Sequence, residues 1–254
     1  MLRKRIIPSL LVKGTGGLVK TQKFADPKYV GDPINAVKIF NEKEVDELFL
    51  FDITATKGRR RPNFKMIEEI VSEAFMPVAY GGAVKTLDDA RTLLALGVEK
   101  IALSTATFES LSLVTELKNA FGAQCVVGVV DVKKKLFGGL AVHSHSGARV
   151  SESDPVAWAK KLVAAGAGEI LLQSVDRDGT MSGFDLDLLR SFDGKLGVPL
   201  VAAGGAGNVE HMKQAFSACR LSGLAVGARF VYQGPARGVL INYLSRADLD
   251  ALSR

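Results

Sequence analysis

The sequence predicts an α/β protein, a (β/α)₈ TIM barrel built from two sequence-similar half-barrels, and three observations carry that expectation. The first is a near repeat at an offset of 122 residues: Asp32-Pro33 returns as Asp154-Pro155, and ELFLF (47–51) returns as EILLQ (169–173). At the same offset PVAYGG (77–82) matches PLVAAG (199–204), and ALSTA (102–106) matches LAVGA (224–228). A repeat of half the chain is too long for a solenoid unit and points to two fused half-domains. The second is that short apolar runs alternate with helical stretches through eight strand–helix units. The third is the length of 254 residues, ordinary for one such barrel. A doubly wound open sheet shares the alternation, but a fourfold set of units occurring twice favours a closed ring.

The first strand is expected at 6–12. The opening MLRKRIIPSLLVKG has the basic start and apolar core of a secretory leader, yet Pro8 interrupts a short run and Lys13 follows without a cleavage pattern. Further strands are expected at 48–52, 77–80, 101–103, 126–131, 170–174, 199–202 and 224–226. All read as continuous apolar runs, as parallel strands covered on both faces require. Asp32 and Asp154 each place a capping carboxylate before a proline at the first helical position. Thr86 with Asp89 resembles a capping box, and Asn208 caps the helix that follows it. Residues 136–150, LFGGLAVHSHSGARV, combine glycines with alternation and suggest a hairpin inserted after the fifth strand. No linker divides the chain, so 1–254 is read as one domain.

Composition narrows the function. Hydrophobic residues make up 47% and charged residues 24%, and no apolar run approaches the roughly 20 residues of a membrane span. Cys125 and Cys219 lie in separate apolar segments without metal-ligand spacing. Reduced thiols in a cytoplasmic protein are expected, and no metal or cofactor is called for. The net charge of +6 includes Arg59-Arg60-Arg61 and Lys133-Lys134-Lys135, but these runs lack interleaved aromatics, so no nucleic-acid partner is expected. Near the barrel mouth they would draw in a phosphorylated substrate.

In this fold the loops after the strands form the active site. Gly81-Gly82 follow the third strand and Ser104-Thr105 the fourth; Gly204-Gly205 follow the seventh and Gly227-Ala228 the eighth. Each half thus pairs a glycine turn with a small-residue turn leading into a helix, where backbone N–H groups can meet an anion. Two such sites suit a substrate with a phosphate at each end. Asp131 ends the fifth strand, Asp52 and Thr54 the second, and Asp176-Arg177-Asp178-Gly179-Thr180 follow the sixth. Asp178 and Gly179 are assigned to substrate binding and Asp131 to catalysis, since carboxylates here can act as general acids or bases. The alternative for Asp52 and Asp176 is that they only brace their loops. At the opposite end Arg5, Glu47, Lys100 and Glu169 each stand at the start of a strand. Two acids and two bases can close a neutral ring about the axis, by geometry alone a salt-bridge plug.

The segments IIPSLLVK, DELFLFDIT, GEILLQSVDRDGT and PLVAAGGAGN resemble the cyclase subunit of imidazole glycerol phosphate synthase, the HisF-type barrel, and the similarity covers almost the whole chain. The resemblance implies a barrel docked on its N-terminal face to a HisH-like glutaminase, whose ammonia passes through the ring and along the axis. The family's gate positions match Arg5, Glu47, Lys100 and Glu169, and its docking-face acid matches Glu99. The isomerase of the same pathway has a similar barrel but needs no ammonia, so an intact ring favours the HisF type. Of the two aspartates the family uses for cyclisation, one matches Asp131 and the other falls on Leu11, which can neither move a proton nor hold an ammonium-like intermediate. Ser104 stands for the family's asparagine, Ala203 for a serine, Ala83 for a third glycine, and the serine of the last phosphate turn is missing from Gly227-Ala228.

All these departures lie on the catalytic face. The resemblance therefore implies ammonia delivery without efficient cyclisation. Residues 16–53 also resemble HisF-like paralogues associated with sugar amidation in surface-polysaccharide (lipopolysaccharide) synthesis, in which a separate amidotransferase receives the ammonia. A phosphorylated or nucleotide-sugar small molecule is the expected ligand. The alternatives are the lyase-class cyclase subunit of histidine biosynthesis, and a structural partner without chemistry of its own.

Overall fold

The computed structural model of the protein describes residues 4–136, 138–145 and 147–253. Residues 1–3 of the leader-like start, residues 137 and 146 of the expected hairpin, and residue 254 lie outside the described residues. The chain begins with β1 (Arg5–Val12), a hairpin of β2 (Leu18–Gln22) and β3 (Ala25–Gly31), and helix α1 (Pro33–Glu42). It continues through β4 (Leu48–Asp52), α2 (Phe64–Val71), β5 (Val78–Gly81), α3 (Leu87–Ala95), β6 (Lys100–Leu103), α4 (Thr105–Glu109) and α5 (Ser112–Phe121). The second half holds β7 (Val126–Lys134), β8 (Leu140–Ser144), β9 (Arg149–Glu152), α6 (Pro155–Ala165), β10 (Glu169–Ser174) and α7 (Leu186–Phe192). Then come β11 (Leu200–Ala203), α8 (Val209–Ala218), β12 (Gly223–Val226), the short hairpin β13 (Tyr232–Gln233) and β14 (Gly238–Val239), and α9 (Arg246–Ser253).

Eight of these strands pair in parallel in the order β1, β4, β5, β6, β7, β10, β11, β12. The ring closes where Arg5 to Pro8 of β1 pair with Gly223 to Val226 of β12. This is the (β/α)₈ barrel that the repeat predicts. The third and seventh strands start one residue later than read from the sequence, at Val78 and Leu200. Pro77 and Pro199 have no N–H for the ladder, but their carbonyls accept from Leu48 and Ile170 at 2.9 and 3.0 Å, the same contact in both halves. The fifth strand runs on to Lys134 because it continues as one arm of the inserted hairpin, pairing Asp131–Lys134 with Leu140–His143 of β8.

The strands bury both faces. In β10, Ile170 and Leu172 pack outward against the helices, while Leu171 points to the axis with Ile7, Phe49, Ala79, Ala102, Val127, Val201 and Ala225. Two buried faces explain why the sequence runs are continuous rather than alternating. The expected caps form. Asp32 accepts from Asn35 N at 3.0 Å, Asp154 from Val156 N and Ala157 N at 2.9 and 3.0 Å, and Asn208 from His211 N at 2.8 Å. Thr86 and Asp89 exchange reciprocal bonds of 3.1 Å as a capping box. The hairpin β2–β3 is an element the sequence reading did not assign. Among the described residues no helix is long and apolar enough to cross a membrane.

The twin caps give a test of the repeat. Asp32→Ala and Asp154→Ala should each cost about 1 kcal/mol, and the double variant should cost their sum because the caps sit in separate halves. Urea denaturation of the four proteins measures this.

Candidate functional site

At the N-terminal end of the barrel the four charged strand starts meet. Glu47 receives Arg5 Nη1 at 2.5 Å and Lys100 Nζ at 2.7 Å. Glu169 receives Arg5 Nη2 on one oxygen and Lys100 Nζ at 2.8 Å on the other. Both carboxylates are buried, and burial alone would raise the pKa of Glu169. The hydrogen bonds and charges of Arg5 and Lys100 outweigh that and hold it below the usual carboxylate range. The ring expected from the sequence is therefore a closed circuit of four ion pairs. Glu99 lies beside it, exposed, at the end of the loop leading to β6.

Above the ring the axis is apolar as far as Leu11 and Phe51. Phe51 stacks on Phe49 with ring centroids 5.6 Å apart. Its ring lies where a side chain at Gly81 would stand: a Cβ there would be 2.7 Å from it. Gly204 and Gly205 have similar packing reasons. A Cβ on Gly204 would meet Ser174 O at 2.6 Å and one on Gly205 would meet Gly183 O at 2.2 Å, both with left-handed φ. The glycine turns are thus required by close loop contacts whether or not an anion binds.

At the C-terminal mouth the site residues fall into two groups. A cavity of about 320 Å³ is lined by Gly81, Gly82, Ser104, Thr105 and Asp131, with Leu11, Phe24 and Phe51 as apolar walls. A narrow crevice of about 30 Å³ is lined by Gly204, Gly205, Gly227, Ala228, Asp178 and Gly179. The two share Leu11, Thr21, Phe51 and Gln173 as a partition. Each half-site predicted from the repeat is therefore assembled, and the halves differ in polarity.

Asp131 is buried, and Ser104 Oγ donates to it at 3.0 Å. Burial pushes its pKa up to about 7, the Ser104 bond opposes this, and nearby Asp178 adds to the rise. Asp178 accepts from Thr21 Oγ1 at 2.8 Å, and from Phe24 N and Gln173 Nε2 at 3.4 Å. Burial still carries Asp178 above the usual range.

Lys20, on β2, was not singled out from the sequence. Its ammonium donates to Ser9 O at 2.5 Å inside the crevice, and a Cβ on Gly227 would lie 2.9 Å from its Nζ. Burial lowers its pKa to about 8, against the pull of Asp178. The sequence offers no local signal for it, since Lys20 follows Leu18 and Val19 but precedes Thr21 and Gln22.

Other polar residues brace loops. Asp52 Oδ1 accepts from Thr54 N, Thr54 Oγ1 and Ala55 N between 2.8 and 3.1 Å, and Asp176 accepts from Lys134 N at 2.8 Å. Thr105 Oγ1 accepts from His145 N at 2.9 Å, which ties the β8–β9 hairpin to the first half-site. Arg61 pairs with Asp88 and Asp89 rather than facing the mouth. Among the described residues no group of three or more His, Cys, Asp or Glu could hold a metal ion.

Fold and site define a (β/α)₈ barrel with a charged ring at one end of its axis and buried titratable groups at the other. The chain belongs to the histidine biosynthesis protein family, whose model matches residues 5–236. It is 47% identical over 250 residues to the Pseudomonas aeruginosa protein named "Putative imidazole glycerol phosphate synthase subunit hisF2", covering 98% of this chain and 99% of that protein. It is 38% identical over 232 residues to "Imidazole glycerol phosphate synthase subunit HisF" of Streptococcus mutans, covering 91% of this chain and 92% of that one.

The buried carboxyl sets a pH dependence. Asp131 is raised from an ordinary 3.8 to about 7, so folding favours its protonated form. That contribution is full below about pH 4 and is lost as pH rises through 7. Lys20 acts elsewhere: lowered from 10.5 to about 8, it adds stability as pH rises between those values. Urea denaturation from pH 4 to pH 8 should show the wild type losing stability relative to Asp131→Asn. Parallel curves would contradict the burial argument.

Proposed function

We propose that this chain docks a glutaminase on its N-terminal barrel face and delivers the released ammonia, in the cytoplasm, to amidation of a surface-polysaccharide sugar by a separate enzyme. The observation that carries this reading is a contrast between the two ends of the axis. The Arg5–Glu47–Lys100–Glu169 ring is complete, whereas at the mouth Asp131 shares its cavity with Leu11, which by the resemblance stands where a second catalytic aspartate is expected. Neutral ammonia can travel an apolar axis that an ammonium ion cannot enter without a large desolvation penalty. Lys100, the more flexible of the two cations, is held by two exchangeable bonds and is the natural moving part of the ring. At the mouth Asp131 and Ser104 can position a ligand, but Leu11 leaves no second group for a proton relay. The two glycine half-sites suit the phosphates of a phosphorylated or nucleotide-sugar ligand.

A second reading, a barrel with its own cyclase chemistry in histidine biosynthesis, is favoured by one feature. Lys20 and Asp131 are buried at the mouth and Asp178 is half-buried beside them, and a passive conduit has no need of buried ionisable groups. The names of the relatives point the same way.

Two measurements separate the readings. The chain should co-purify with the glutaminase encoded near it and raise glutamine turnover, and no complex with no stimulation would return the ring to a salt-bridge plug. Purified chain with an ammonium salt and the histidine-pathway ribonucleotide should turn over very slowly, because one general acid–base group is worth roughly 10² to 10⁴ in rate. Leu11→Asp should recover part of that factor. Robust wild-type turnover would make histidine biosynthesis the function.

A further inference from the structure

We infer that the C-terminal face of the barrel is a docking surface for an ammonia-consuming enzyme with an acidic surface. The inference rests on the proposed ammonia delivery and names the face and chemistry of the receiving partner. Six large apolar side chains are strongly exposed among the described residues, and five of them, Tyr29, Leu136, Val150, Val239 and Leu240, lie on or beside the hairpins that follow barrel strands. Only Phe75 lies toward the other end. Singly exposed apolar residues are ordinary, but scatter would not place them at one end. None of the five lines either cavity, so a small ligand does not account for them.

The same face carries unpaired positive charge. Lys23, Lys28, Lys57, Arg59, Lys135 and Arg149 are exposed on its loops and have no carboxylate partner among the described residues. Four of its acids are engaged, Asp185 with Lys134, Glu152 with Lys161, and Asp176 and Asp178 with the loops around them, while Asp26 stands exposed between Lys23 and Lys28 on the β2–β3 hairpin. Loops at the opposite end mix Glu44, Glu73, Glu99 and Asp193 with Lys43, Lys195 and Arg220, and there Glu73 pairs with Lys38 and Asp193 with Arg220. A basic, apolar-studded face is complementary to an acidic protein surface.

The face is also pre-organised. Lys23 N donates to Asp178 O at 2.9 Å, Lys134 N to Asp176 at 2.8 Å, and Arg237 to the carbonyls of Gly179 and Thr180 at 3.1 and 3.3 Å. Three hairpins are thereby fixed to the 176–180 loop, which lowers the ordering cost of association. Among the described residues the outer edges of β3 and β9 pair with no other strand, so each offers backbone groups to an incoming chain. With one exposed aromatic among the cations, the surface fits protein better than nucleic acid.

The test uses this chain in complex with a glutaminase that it stimulates, and a purified ammonia-dependent sugar-amidating enzyme as probe. Sedimentation velocity should show binding that weakens at least tenfold between 50 and 500 mM salt, as screening of complementary charge requires. Arg149→Glu, and separately Leu136→Ser with Val150→Ser, should each weaken it tenfold or more and lower glutamine-driven amidation. Ammonium-driven amidation and stimulation of the glutaminase should stay at wild-type levels. Variants that bind and transfer like the wild type would overturn the inference, as would salt-insensitive binding. Equal sensitivity of these variants in binding to anionic phospholipid vesicles or single-stranded DNA, without binding to the enzyme, would also overturn it. A glutaminase that is not stimulated even by the wild type would instead sink the ammonia-delivery reading, which the binding assay reads independently.

Discussion

Two carboxylates are buried at one end of the barrel, and the same two cations pair with both of them. Each oxygen of Glu47 and Glu169 takes one donor, and every donor comes from Arg5 or Lys100. Removing one partner of a buried pair typically costs about 3–5 kcal/mol, whereas apolar residues of similar volume are often neutral or better. A barrel needing only a stopper would be served by leucines. The ring also demands strict register, since Arg5 lies opposite Gly223, where a Cβ would sit 2.9 Å from the Arg5 carbonyl. Closure of the sheet and assembly of the ring are one event.

The duplication explains how the ring was composed and why the two halves of the mouth differ. Glu47 and Glu169 are equivalent positions of the repeat, but the equivalent of Lys100 is Ser222. Arg5 supplies the second cation instead, and it also donates to Ser222 Oγ at 3.2 Å. At the mouth Phe51 has Gln173 as its equivalent. The aromatic side of the partition faces the larger, apolar-walled cavity, and the amide reaches Asp178 across the narrow crevice. One substitution in each pair broke the twofold symmetry: a neutral serine at the ring, an aromatic at the mouth.

Legibility in the sequence followed locality. Strands, caps and the four ring positions could be read because each depends on neighbours a few residues away or on the repeat. Pro77 and Pro199 displaced two strand starts by one residue, a shift set by the missing N–H. The β2–β3 hairpin was not legible, since most of β3 is exposed and its run ADPKYVG carries Asp, Pro and Lys rather than an alternating apolar face. Lys20 followed from that omission. Nothing local marks a lysine for burial, and its environment is assembled from Ser9, Asp178 and Gly227, brought together only by the closed barrel.

The DRDGT loop shows how a motif can carry a structural duty inside a functional site. Gly179 has φ +67°, and a Cβ on it would stand 2.1 Å from Thr21 O. Asp178 commits its oxygens to Thr21, Phe24 and Gln173, so it has little capacity left to grip a ligand. What it contributes is position: it holds the β2–β3 hairpin down and keeps negative charge near Lys20. The groups left at the mouth are then Asp131, raised by burial to about 7 beside Ser104, and Lys20, lowered by burial to about 8 in the neighbouring crevice. The ring at the far end is built the other way, with Glu169 held ionised by its partners. One barrel thus keeps fixed charge where a neutral molecule would enter and adjustable charge where it would leave.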